Sequence, residues 1–139
     1  MALSRALGNR RGIGYAVCEL GTMARRQGDH AHAATYTVAS LTPWHQLGNI
    51  AGIADGLEEL AVIATVQGGA VRGARLAGAA EALREAGGMP LSPKFRAALE
   101  QDMAPARTAL GESAFAAAWA AGRELSLGQM MAEAQEVAG

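Results

Sequence analysis

The chain has 139 residues, about the length of one domain, and with half of them hydrophobic and only 18% charged it is not a sequence too polar to fold. Twelve Lys and Arg against thirteen Asp and Glu leave a net charge of -1, which removes the basic surplus that nucleic-acid binding requires. Aromatics are 4% and glycines number 18, which points to a small-residue core with close backbone approach and away from an aromatic-rich β-sandwich.

The opening residues, Met1-Ala2-Leu3-Ser4-Arg5, lack the apolar stretch and cleavage site of a secretion signal. No run approaches the ~20 apolar residues needed to cross a bilayer, so the expectation is a cytoplasmic chain without membrane contact. A repeat then sets the organisation. Residues 7–41 laid against 47–81 match at Leu7/Leu47, Gly8/Gly48, Asn9/Asn49, Gly12/Gly52, Ile13/Ile53, Glu19/Glu59, Leu20/Leu60, Ala24/Ala64, Gln27/Gln67, Gly28/Gly68, Ala34/Ala74 and Ala39/Ala79, an offset of 40. A period of this length belongs to helix pairs that stack to bury a shared face.

The first unit, about 7–46, opens with Gly8-Asn9-Arg10-Arg11-Gly12-Ile13-Gly14. This run lacks the Lys-Ser/Thr ending and the preceding strand of a phosphate loop, and its recurrence at Leu47-Gly48-Asn49 makes it an inter-repeat turn. Ile13, Ala16, Val17, Leu20, Met23 and Ala24 then recur at threes and fours, one stripe of a helix. Cys18, the lone cysteine, falls within this stretch and reads as a buried structural thiol with no disulfide or zinc partner. Gln27-Gly28-Asp29 stops the helix with a glycine in the left-handed cap position and offers Asp29 as N-cap of a second helix over 30–46. Pro43 predicts a kink there, or an end of its regular part near Thr42. His30 and His32, two apart, point in different directions and read as a solvated helix start.

The second unit, about 47–86, repeats the pattern with Ile53, Leu57, Leu60, Ile63 and Ala64, a stop at Gln67-Gly68-Gly69 and a second helix over 70–86. Glu58 and Glu59 read as solvated acids, and Glu81 with Arg84 or Glu85 as ordinary helix-face neighbours. Gly87-Gly88-Met89-Pro90-Leu91-Ser92-Pro93 is a breaker-rich loop ending in an N-cap serine and a first-turn proline. A helix from 93 carries Phe95, Leu99, Met103, Ala106 and Leu110 on one face; Pro105 predicts a bend or break around 101–105, and Gly111 the end. A helix over about 112–123 carries Phe115, Ala118 and Trp119, and Ser126-Leu127-Gly128-Gln129 has capping-box spacing for a last helix to about 138. No strand alternation occurs, so the expected fold is all-α: one domain over 1–139, two antiparallel helix pairs and a C-terminal helical segment over 93–138.

Leu20-Gly21, Ala24, Gln27-Gly28-Asp29 and Ala33 resemble the tetratricopeptide pattern, in which small residues let two antiparallel helices approach closely; Ala61 and Gly73 hold matching positions in the second unit. The run Leu76-Ala77-Gly78-Ala79-Ala80-Glu81-Ala82-Leu83-Arg84-Glu85, with Pro90, Pro93, Ala106-Arg107, Leu110-Gly111, Phe115, Ala118-Trp119 and Gly122, resembles the C-terminal end of large bacterial signal-transduction ATPases and LuxR-type transcription regulators. The resemblance implies a tetratricopeptide-like α-solenoid with C-terminal capping helices, in a regulatory setting. Neither a GxxxxGK[ST] loop nor a helix-turn-helix fits this chain, so no ATPase or DNA-binding residue carries over.

No nucleophile, base and orienting group fall together, so the expectation is a non-enzymatic module with no cofactor and no metal that binds protein or peptide, or another copy of itself. Arg10, Arg11 and Arg25 belong to a locally basic first 30 residues suited to an acidic peptide or a solvated edge. Trp119 with Phe115 reads as core; Trp44 either lines the groove between repeats or anchors a partner. The alternative is a small-molecule sensor with an apolar pocket between the repeats and the final helices, where Tyr36, Trp44 and Arg72 or Arg75 make the contacts. If Met1 is the true start, Met1 to Leu7 are too few to cap the first unit, and self-association through the Ile13/Val17/Leu20 stripe is expected.

Overall fold

The computed structural model describes residues 2–139, with side chains from Gly8 onward. Among these residues seven helices follow one another and no strand occurs: α1 (Ala2–Arg26), α2 (His30–Gln46), α3 (Ile50–Val66), α4 (Ala70–Gly87), α5 (Pro93–Leu110), α6 (Glu112–Arg123) and α7 (Leu127–Ala138).

The turns are written in the sequence. Gly28, Gly48 and Gly68 each adopt positive φ, at 79°, 68° and 89°. After each, the next amide reaches back to a carbonyl of the closing helix: Asp29 N to Ala24 O at 2.9 Å, Asn49 N to Trp44 O at 2.8 Å, Gly69 N to Ala64 O at 2.7 Å. Orphan carbonyls are thus satisfied within a three-residue connection, which makes successive helices antiparallel neighbours. Asp29 accepts from His32 N and Asn49 from Gly52 N, so the residue after the glycine also caps the next helix. Ser92 caps α5, and Ser126 with Gln129 forms a reciprocal capping box on α7.

Helix α1 packs on α2, α3 on α4, and α2 on α3. Helix α5 leans on α3 and α4, α6 lies along α4, and α7 returns across α2, α3 and α4. Helix α3 is central, with Ile53, Leu57, Leu60 and Ile63 fully buried. Helices α4 and α6 meet backbone to backbone, because any side chain at Gly78 would collide with the Trp119 carbonyl and any at Gly122 with the Arg75 carbonyl.

The structure corrects two expectations and narrows a third. Gly8-Asn9 forms no turn; α1 runs through it to Arg26. The Gly48 turn joins α2 and α3, which pack on each other, whereas a Cβ built on Gly8 meets nothing within 4 Å. A glycine alone costs a helix only about 1 kcal/mol, so the chain stays helical. Neither Pro43 nor Pro105 ends its helix. Pro43 removes one amide donor, but it is buried and its own carbonyl still accepts from Leu47 N at 3.0 Å, so the last turn of α2 is kept. Arg84 does not pair with Glu81 along α4; it crosses to Glu58 on α3, because it faces that helix from the buried side. The side chains of Met1 to Leu7 lie outside the described residues.

Candidate interaction surfaces

The residues expected to make contacts do not converge on one site. Arg10 and Arg11 are exposed on α1, while Arg25, on the same helix, is ion-paired with Glu59 of α3. Arg72 and Arg75 of α4 both engage Glu133 of α7, each at 3.1 Å, and so fasten the last helix to the body. Tyr36 is half-buried, its ring 6.4 Å from that of His32.

Trp44 is only 3% exposed. It lies between the repeats as a plug and not as a groove wall. A Cβ on Gly14 of α1 would meet the six-membered ring at 2.8 Å, and one on Gly52 of α3 would meet the five-membered side at 2.8 Å. Tyr15 closes the edge with its ring centroid 5.0 Å away in a T-shaped contact. The two glycines thus make room for the indole, and the bulk of Trp44 joins α1 to α3.

A cavity of about 790 Å³ opens between α4, α5, α6 and the 88–91 loop. Ala77, Leu99, Met103, Phe115 and Trp119 give it an apolar lining, and Phe115 and Trp119 stack at 5.6 Å. The rim is charged and internally paired. Arg123 of α6 donates to Glu81 at 2.6 Å and also to Glu85, and Trp119 Nε1 donates to Glu81 at 3.2 Å. Arg107 lies 4.5 Å from the centroid of Phe115 and bonds Glu112 at 2.9 Å. The volume falls in the range of small-molecule sites. A pocket at this place, between the repeats and the final helices, was expected, but its walls are Arg84, Arg107, Arg123, Phe115 and Trp119, and neither Tyr36 nor Trp44 lines it. The signal for these walls was the i, i+4 series Phe115, Trp119, Arg123 on α6, facing the i, i+4 pair Glu81, Glu85 on α4.

A second groove, about 660 Å³, lies between α1, α3 and α5. Asp55, Glu58, Glu59 and Asp102 line it together with Arg25 and Arg84, which pair with three of the four carboxylates. Arg84 is buried, and its bond to Glu58 holds the guanidinium's pKa above its ordinary value. Cys18 borders the same groove and is half-buried, more open than the apolar stretch around it suggested. Burial first, then the charges of Asp55 and Glu59, push its thiol pKa up.

The outer side of α1 exposes several apolar residues along one face. Ile13 is 55% exposed, Leu20 44% and Met23 51%, with Ala16 open between them. Single exposed apolar residues are ordinary, but four at helical spacing form a stripe. Among the described residues no helix is long and apolar enough to cross a membrane. No protein-family model matches the chain, and no curated protein or solved structure matches it either.

Proposed function

We propose that this chain is a non-enzymatic, cytoplasmic helical-repeat module of tetratricopeptide type, an α-solenoid closed by its last helices, that binds a protein or peptide or a second copy of itself. The regulatory setting rests on the resemblance of residues 76–123 to the C-terminal ends of bacterial signal-transduction ATPases and LuxR-type regulators. The observation that carries the binding role is the apolar stripe of α1, whose three large side chains stay about half exposed while the corresponding residues of α3 are fully buried. Two measurements on the full chain test it: light scattering over a hundredfold concentration range, and selection of a displayed random-peptide library. A dimer, or enriched peptides, lost on Leu20→Asp supports the reading; neither partner nor dimer overturns it.

One observation favours a second reading, a small-molecule sensor: the cavity between α4, α5 and α6. An apolar ligand bound only by the folded chain raises the melting temperature with concentration. The rise disappears when Ala116→Trp fills the space if the cavity is the site, and persists if it is not.

A further inference from the structure

The 40-residue repeat places equivalent residues of α1 and α3 in opposite environments. Ile13, Leu20 and Met23 correspond to Ile53, Leu60 and Ile63. The first three are exposed; the second three are fully buried at 0%. Gly12 and Ala16 correspond likewise to Gly52 and Gly56. On each helix the five positions recur at threes and fours and share one face.

On α3 that face is occupied by α2. A Cβ at Gly52 would meet the Trp44 ring at 2.8 Å, and one at Gly56 would meet Leu41 Cδ2 at 2.7 Å and Thr37 Cγ2 at 3.8 Å. Trp44 and Leu41 are knobs, three residues apart, set over two notches left by small residues four apart. On α1 the same notches are present and open: nothing lies within 4 Å of a Cβ built on Gly12, and Ala16 is exposed.

We infer that the outer face of α1 is a seat for one amphipathic helix from a partner protein, a helix of α2's chemistry that presents an indole-sized and a leucine-sized side chain three residues apart. The proposal rests on the interaction-module reading and specifies the partner. A helix laid there would repeat the α2–α3 contact one step outward, with its large side chains at Gly12 and Ala16 and its flanks on Ile13, Leu20 and Met23. A second copy of the chain does not offer such a helix, because its own α2 is already used: Leu41 and Trp44 are buried against α3.

The test uses the full chain and a labelled synthetic peptide with the sequence of residues 29–49, followed by fluorescence anisotropy. The expected result is saturable binding that falls tenfold or more when the peptide carries Leu41→Ala and Trp44→Ala. It falls equally when the chain carries Gly12→Leu, which fills the notch at an open helix position and leaves the melting temperature at or above that of the parent. Equal binding of both peptides, or binding indifferent to Gly12→Leu, overturns the proposal. So does a dimer abolished by Leu20→Asp in a chain that ignores the peptide; the module would then interact through α1 on α1, and the interaction reading would stand without this one. Absence of peptide binding, dimer and library peptides together removes both.

Discussion

Arg84 and Glu58 face each other through two parallel hydrogen bonds, Nε to Oε2 at 2.7 Å and Nη2 to Oε1 at 2.8 Å. Side-chain exposures of 10% and 13% take both charges largely out of water. Asp55 adds a further carboxylate, and the Met89 carbonyl accepts from Nη1 at 3.4 Å, so the guanidinium links α4, α3 and the loop that begins α5's approach. A planar fork is needed for this, which an ammonium lacks.

Removing one partner strands the other, so Arg84→Ala is expected to cost about 3–5 kcal/mol, while replacing both with apolar residues of similar size recovers most of that loss. Urea unfolding of Arg84→Ala and of Arg84→Met with Glu58→Leu checks the pair. A double variant as unstable as the single would mean that the ion pair itself, and not the stranded carboxylate, sets the cost.

At the α4–α6 crossing the backbone leaves no space for a methyl group. A side chain at Gly122 would occupy the position of the Arg75 carbonyl. Gly122→Ala must therefore separate the helices, and overpacking of this kind costs about 1–3 kcal/mol. Gly128 of α7, with nothing within 4 Å of its built Cβ, is the control: Gly128→Ala should be neutral or stabilising by up to about 1 kcal/mol. Thermal melts should show Gly122→Ala lowered and Gly128→Ala unchanged or raised; an equal loss in both would remove the close crossing as the cause.

Cys18 gives a pH dependence whose sign follows from its environment. Burial and the charges of Asp55 and Glu59 raise its pKa in the folded chain. Between ~8.5, where an unfolded thiol ionises, and the higher folded value, the folded state holds a proton that the unfolded state has lost. The contribution to stability is fully present below that window and declines as pH rises through it. Iodoacetamide alkylation followed from pH 7 to 10 should show the native thiol reaching its half-maximal rate at a higher pH than the urea-unfolded thiol. An inflection at or below the unfolded one would exclude both causes.

What was legible in the sequence was the chemistry that acts locally. Gly28, Gly68, Asp29, Ser92 and Ser126 fix turns and caps with their immediate neighbours, and each sits where its residue type predicts. What was not legible depended on partners far along the chain. Gly8 carries the same signal as Gly48, yet Gly48 joins two helices packed on each other while Gly8 has nothing within 4 Å of a built Cβ, so the same dipeptide turns in one place and continues in the other. Arg72 and Arg75 look like free cations until Glu133, 58 or more positions away, is brought beside them by α7. The i, i+4 series of cavity residues on α6 is visible in the sequence, but not the helix opposite it, because that depends on the close approach of Gly78 to the Trp119 backbone and of Gly122 to the Arg75 backbone.

Trp44 ties these levels together and gives the sharpest prediction. Its indole fills the space between Gly14 and Gly52, so Trp44→Ala leaves a cavity under α1 and should cost about 3–5 kcal/mol. Gly52→Ala in the parent places a methyl group 2.8 Å from the ring and should destabilise. In the Trp44→Ala background the ring is gone, the methyl meets open space, and alanine's better helix propensity, about 1 kcal/mol over glycine, makes the same substitution stabilising. The sign of Gly52→Ala therefore reverses with the residue at position 44. Residues in contact couple by about 0.5–3 kcal/mol in such double-mutant cycles, enough to resolve by urea unfolding. Additive effects would mean that Trp44 does not rest on Gly52, and would remove the α2–α3 template from which the seat on α1 is drawn.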